Sequence, residues 1–300
     1  MKIKAFIYII LAGILWGSQT VFVYFLKPYG FSSFQLTAVR AVVSFAFMAV
    51  YALIKDKSAF KIRFKDLLVC LGVGVCLFVT AAAYYVAMDM TTTATAVVIM
   101  YMSPVYVMIF SVLFFKEKIS PVKLAALILV IGGSILVSGA VGGELSFNFV
   151  GLAFAFLSGL TLAGYNIFTK LGSQNGCKTL ATTLYGFMFM AILAVIFGEP
   201  VSTVKMASAA PLITVPLLIA LGIVTCVTPY FLYNLAVDHI PVGTAAALAV
   251  IDPMAATVCS VFIGETLTVY PIIGIVLVLS AVVLLGLAEG RHPKKEITNG

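Results

Sequence analysis

Ten apolar runs, each about twenty residues long and parted by short polar gaps, constrain this chain more than any motif within it. A helix needs about 20 apolar residues to cross the hydrocarbon core of a bilayer. The runs fall at about 4–26, 33–54, 67–87, 93–114, 121–140, 148–169, 180–198, 212–235, 243–263 and 269–288. The gaps, among them KPYGFSS, KDKSAFKIRFKD, KEKISP, VGGELSFN and GEPVSTVKM, carry the turn residues expected between helices. The longest holds about a dozen residues, so no soluble domain is expected between the spans. Composition agrees: 63% of the 300 residues are hydrophobic and 10% charged, against about 25% charged in soluble domains. Mean hydropathy is +1.18.

The net charge of +7 does not form a basic face, which excludes nucleic acid as the expected partner. The lysines and arginines sit in the gaps. With the N-terminus inside, Lys2, Lys4, Lys55, Lys57, Lys61, Arg63, Lys65, Lys116, Lys118, Lys123, Lys170, Lys178, Arg291, Lys294 and Lys295 fall on the cytoplasmic side. Only Lys27 and Lys205 fall outside, and Arg40 lies within a span. That bias predicts both termini in the cytoplasm, with a tail at 289–300, and supports the even span count. The N-terminal MKIK and its apolar run read as the first span; the run is too long for a signal peptide and lacks a cleavage site. Five scattered cysteines give neither a disulfide framework nor a metal site.

The chain also repeats itself. YYVAMDMTTTATAVVIMYMSPVYVMIFSVL (84–113) aligns with YNLAVDHIPVGTAAALAVIDPMAATVCSVF (233–262) at a fixed offset of 149, with 8 of 30 positions identical. Tyr84/Tyr233, Asp89/Asp238 and Pro104/Pro253 are among them, and with one residue dropped Glu117 meets Glu265. Two halves of five spans follow, at about 4–140 and 148–288. Five is odd, so the second half crosses the membrane in the opposite sense. Inverted repeats are the architecture of secondary transporters, which bind their solute near the midplane between the halves.

LWGSQTVF in span 1, Arg40 of LTAVRAVVSF in span 2, and a central proline followed by E-x-[IL]-[ST] (Glu117, Glu265) in both halves resemble the EamA-type transporters of the drug/metabolite transporter superfamily. The resemblance covers essentially the whole chain. It implies an all-α membrane protein of ten transmembrane helices in two inverted five-helix repeats. It implies a central cavity lined by helices 1, 3, 4, 6, 8 and 9, with 5 and 10 peripheral, and export of amino acids or related small metabolites. The second half departs from the first at Ser158, where Trp16 would fall, and at Thr182, near the place of Arg40.

Asp252 lies near the centre of span 9, where a carboxylate costs about 2.5–3.5 kcal/mol on insertion scales. It reads either as a proton-coupling or substrate-amine site, or as a kink residue held by hydrogen bonds or by Arg40. The matching residue in the first half is Ser103, before Pro104, so Pro104 and Pro253 are expected as shared structural kinks and the aspartate as an addition. Arg40 could hold a substrate carboxylate or tie helices together through backbone carbonyls. Trp16, with Gly13 and Gly17, forms a G-x-x-x-G that would let another helix come close, or faces the substrate. Tyr84, Tyr85, Tyr101, Tyr165, Asn166, Tyr230, Tyr233 and Asn234 supply polar tips for a mostly apolar cavity or for interhelical hydrogen bonds. Glu117 and Glu265 are expected to anchor or cap helix ends.

The function expected is a secondary transporter of the plasma or inner membrane that exports amino acids or related small metabolites by alternating access, with or without coupled protons. The alternatives are an importer or antiporter of another small metabolite or drug-like compound, and a non-transporting scaffold. An enzyme is not expected: the chain has no H-E-x-x-H, and its two histidines, His239 and His292, lie in a loop and the tail. No phosphate-cradling loop of a pump is present either. The expected partners are a small-molecule substrate, the lipid bilayer and a second copy in a homodimer, with no cofactor and no metal.

Overall fold

A computed structural model describes residues 2–141, 148–264 and 269–291. Every regular element among them is helical. Without water to bond to, a lipid-facing backbone must satisfy its own polar groups, and a helix does so within one segment. Nine helices among the described residues are long and apolar enough to cross a membrane: Ile3–Tyr29, Ser33–Lys55, Phe64–Met90, Thr95–Phe115, Phe149–Gln174, Thr179–Phe197, Pro211–Val237, Val242–Phe262 and Val269–Leu287. They are numbered here as spans 1–4 and 6–10. The apolar helix Pro121–Val137, only 17 residues long and about 26 Å at 1.5 Å per residue, falls outside these nine and takes the number 5 by its place in the chain. It therefore stops short of the end expected at residue 140.

Helix ends follow local chemistry. Ser32 and Gln35 form a reciprocal capping box at the start of span 2. Asn148 accepts the amides of Val150 and Gly151 at the start of span 6, and Ser120 with Pro121 opens span 5. The gap GEPVSTVKM, read as a loop from its sequence, contains a helix, Pro200–Ala209. Proline at its first position suits the opening turn, and Thr203 completes it by donating to the Glu199 carbonyl.

Four spans are interrupted. Span 1 breaks between Gly17 and Gln19, and span 8 carries a π-helical turn at Ile223–Val227. Span 4 breaks at Tyr101 and Met102, just before Pro104, and span 9 breaks at Ala249 and Val250, just before Pro253.

Packing joins spans 1–8, 1–9, 2–7, 2–8, 3–6, 3–7, 4–6, 4–9 and 5–10. Small residues permit the closest of these approaches. A Cβ on Gly133 would lie 2.9 Å from the Gly274 carbonyl, and one on Gly274 would lie 2.6 Å from that of Gly133, so spans 5 and 10 touch backbone to backbone. The outer faces carry exposed Leu113, Phe114, Ile128, Ile196 and Val283, the side chains a lipid environment covers.

Candidate functional site

The helix breaks of spans 1, 4, 8 and 9 bring the polar side chains of the interior together. Span 9 approaches span 1 at its glycines: a Cβ on Gly13 would lie 3.0 Å from Ile251, and one on Gly17 would lie 2.5 Å from the Ala256 backbone nitrogen. That contact sets Asp252 beside the middle of span 1. Asp252 occupies the first turn of the helix that resumes after the break, where amide groups favour a negative charge. Its Oδ2 accepts a 2.8 Å hydrogen bond from the Tyr101 hydroxyl, which stands at the break of span 4. The two interruptions are thus joined through one carboxylate. Tyr84 and Tyr230 lie near the same carboxylate.

Arg40 is held elsewhere. Its guanidinium donates to Gln19 Oε1, just past the break of span 1, and at 2.8 Å to the Thr225 carbonyl in the π-turn of span 8. That carbonyl is free because Pro229, four residues on, has no N–H to give it. No ion pair joins Arg40 to Asp252 among the described residues. Arg40 Nε and Trp16 Nε1 are buried and find no partner, and buried N–H groups left unpaired are rare.

Trp16 packs edge-on against Tyr230, with ring centroids 5.0 Å apart, and lies 5.7 Å from Tyr233. Tyr165 and Phe187 meet Tyr230 in the same way at 5.4 and 5.9 Å. Beneath this aromatic layer, toward the end that carries the lysine-bearing loops, lies a second layer. The Tyr165 hydroxyl donates to Asn234 Oδ1 at 2.6 Å, and Asn234 Nδ2 donates to Thr183 at 2.9 Å. The Tyr233 hydroxyl donates to Asn166. Tyr165, Asn166, Thr183, Tyr233 and Asn234 are each at most 5% exposed, so spans 6, 7 and 8 are sealed together there. Lys170 completes the seal, donating to the carbonyls of Val237 and Ile240 at the end of span 8.

Nearer the opposite end, Trp16, Tyr84, Tyr85, Arg40 and Asp252 are all partly accessible, and the hydrogen bond recorded between spans 2 and 3 there joins Thr37 and Tyr85 at 2.9 Å. Glu117 Oε1 accepts the Val242 amide at 3.1 Å, so it sits on the first residue of span 9. Glu265 lies outside the described residues. The sequence reading did not single out Gln19, Thr37, Thr183, Thr225 or Phe187. Pro229 within span 8 was the signal for Thr225, whereas the others are ordinary residues on apolar helices that only packing selects.

A family described as the EamA-like transporter family matches the chain twice, at residues 3–139 and 149–287. An uncharacterized transporter of Archaeoglobus fulgidus is 30% identical over 281 residues, covering 92% of this chain and 94% of the relative. A second uncharacterized transporter, from Clostridium kluyveri, is 24% identical over 294 residues, covering 92% and 91%. A solved structure titled only as that of a protein matches with a TM-score of 0.80 at 17% identity, over 98% of this chain and 100% of the other. It speaks for the fold alone. With a membrane-spanning helical architecture and a family match in each half, the chain belongs to the EamA-like transporter family.

Proposed function

We propose that the protein is a secondary transporter that exports amino acids or related small metabolites by alternating access between two inverted halves. The span pairs support the inversion. Adding or subtracting five from both members turns 1–9 into 6–4, 1–8 into 6–3 and 3–7 into 8–2, and leaves 2–7, 5–10 and 4–9 unchanged. Exchange of the halves about a two-fold axis gives that pattern, and the double family match falls on the same halves. The loop lysines support a cytoplasmic position for the sealed end and for both termini, and the membrane in this reading is the plasma or inner membrane.

One observation carries the substrate class. A carboxylate (Asp252) and a guanidinium (Arg40) share the interior without pairing, each held by a different helix break, beside tyrosines and a tryptophan. A small zwitterion fits such a site. Its ammonium would replace or join Tyr101 on Asp252, and its carboxylate would take the free N–H groups of Arg40 and Trp16. Asp252 also gives the site a group able to carry a proton across with the solute.

Flux into and out of proteoliposomes tests the reading, with a panel of amino acids, with and without an imposed pH gradient. Uptake of one amino-acid class that depends on the gradient in the wild type and loses that dependence in Asp252→Asn is the expected result. No flux of any amino acid would overturn the substrate class.

A further inference from the structure

The lysine-rich end holds a second polar cluster, outside the site described above. Thr169 and Ser173 on span 6, Thr179 and Thr182 on span 7, and Asp238 at the end of span 8 line a cavity of about 10 Å³ together with Cys177 and Asn234. It has room for a single water-sized occupant. Thr169 is 4% exposed, faces this cavity, and its hydroxyl has no hydrogen-bond partner. A buried orphan of this kind calls for an occupant.

The chemistry of the lining restricts what that occupant is. Both ends of the Asn234 amide are committed, to Tyr165 and Thr183. Thr179 donates its proton to Asp238, and Thr182 donates to Cys177 Sγ at 3.4 Å, which leaves the oxygen lone pairs of both threonines unused. The cavity therefore offers hydroxyl oxygens and, at its exposed rim, the Asp238 carboxylate. Oxygen sets of this kind select hard cations, and Ca²⁺ sites gather more than one carboxylate. A single carboxylate matches a single positive charge. The neighbouring Lys170 ammonium donates to the carbonyls of Val237 and Ile240 at the same helix end.

We propose that this cavity binds a small alkali cation, Na⁺ or K⁺, and that the bound ion clamps the ends of spans 6, 7 and 8 together. All three spans contribute to the wall, so the site exists only while they are joined, and binding favours the sealed arrangement. The bearing on transport rests on the reading above, in which this end is the cytoplasmic gate; the site itself does not.

The test titrates the purified full-length protein in detergent with NaCl or KCl against choline chloride at constant ionic strength, reading the thermal unfolding midpoint. The midpoint should rise by a few degrees and saturate with Na⁺ or K⁺, and stay flat with choline. Thr169→Val and Asp238→Asn should flatten the response, with Ser173→Ala as a milder third variant. A response identical in choline, a flat response in all three salts (water as the occupant), or a wild-type titration in Thr169→Val would overturn the proposal. Flux in proteoliposomes separates the two readings. A cation response without flux of any solute keeps the site and removes the transporter, and flux without a cation response does the reverse.

Discussion

Spans 6, 7 and 8 at one end of the interior and spans 1, 2 and 3 at the other are joined by different chemistry. At the lysine-rich end, spans 6, 7 and 8 are joined through neutral amides, hydroxyls and phenols that are fully buried and bonded to one another. Spans 1, 2 and 3 at the other end contribute Trp16, Arg40, Tyr84 and Tyr85, partly accessible; Thr37 bonds Tyr85, Arg40 bonds Gln19 and the Thr225 carbonyl, and Trp16 Nε1 and Arg40 Nε are left without a partner. A bonded neutral network glues helices, and at the lysine-rich end only the Thr169 hydroxyl, facing its small cavity, stands outside it among these groups. At the other end the leftover donors are N–H groups beside separated charges, which suit a charged solute.

The largest way to break this contrast is at the span 1–span 9 contact. Gly17→Ala places a methyl 2.5 Å from the Ala256 nitrogen and should destabilise by about 3 kcal/mol, the upper range for overpacking. On span 6 a methyl on Gly159 meets carbonyl oxygens at 3.2 Å, and on Pro121–Val137 one on Gly132 meets nothing within 4 Å. The loss should therefore shrink from Gly17 to Gly159 and vanish at Gly132, measured as thermal midpoints of the purified variants. Equal losses at all three would mean that the close approach is not what holds span 9.

Next in size is the sealed layer itself. Asn234→Leu removes the acceptor of the buried Tyr165 hydroxyl, while Thr183 keeps its bond to the Thr179 carbonyl, and should cost about 2 kcal/mol, the range for an unsatisfied buried group. Thr37→Val at the other end, where Tyr85 is partly accessible, should cost less than about 1 kcal/mol. Labelling of a cysteine placed on the inner face of span 8 should speed up in Asn234→Leu alone, and equal speeding in both variants would erase the distinction between the ends.

Asp252→Asn sharpens the contrast between the two proline breaks. It should lower gradient-driven flux by about tenfold, the rate equivalent of about 1.4 kcal/mol, whereas Ser103→Ala in the matching position of span 4 should leave flux within about twofold. A comparable loss in both would assign the effect to the break rather than to the carboxylate.

The smallest effect is on the surface loops of the sealed end. The Lys178 hydrogen bond, together with Ser58, holds the exposed Asp56 carboxyl at about 2, below its ordinary 3.8. A lowered folded-state value stabilises above the ordinary value, so this contribution is present above pH 3.8 and is lost as pH falls toward 2. Lys178→Gln should weaken it, seen as a slightly earlier acid transition, while neutral-pH stability stays nearly unchanged.

Much of the architecture was readable from the chain because a bilayer imposes length and polarity on every span. The apolar runs and their punctuation match the helices within a few residues, apart from the short helix 5, span 6, which runs on past 169 to Gln174, and the helix Pro200–Ala209. That helix hides in a gap whose valines and threonine carry no strong period. The site was legible only as a set of types. Asp252 stands out because charge is rare at that depth, but its Tyr101 partner lies 151 residues away and is one of 13 tyrosines. Nothing in Thr183 or Gln19 marks them among other polar residues on apolar helices.

Hydrophobic length, loop charge and the repeated Asp–Pro–Glu pattern are properties of the chain, and they determined that it is helical, suited to a membrane and internally duplicated. Which donors found partners depended on where helices break and how closely glycines let them meet, and that is a matter of packing. Tertiary structure alone decided that Asp252 bonds Tyr101 rather than Arg40, that Arg40 takes the carbonyl freed by Pro229, and that one end is joined by a neutral hydrogen-bond network. These choices turn on contacts of about 3 Å between residues far apart in sequence, and no local pattern encodes them.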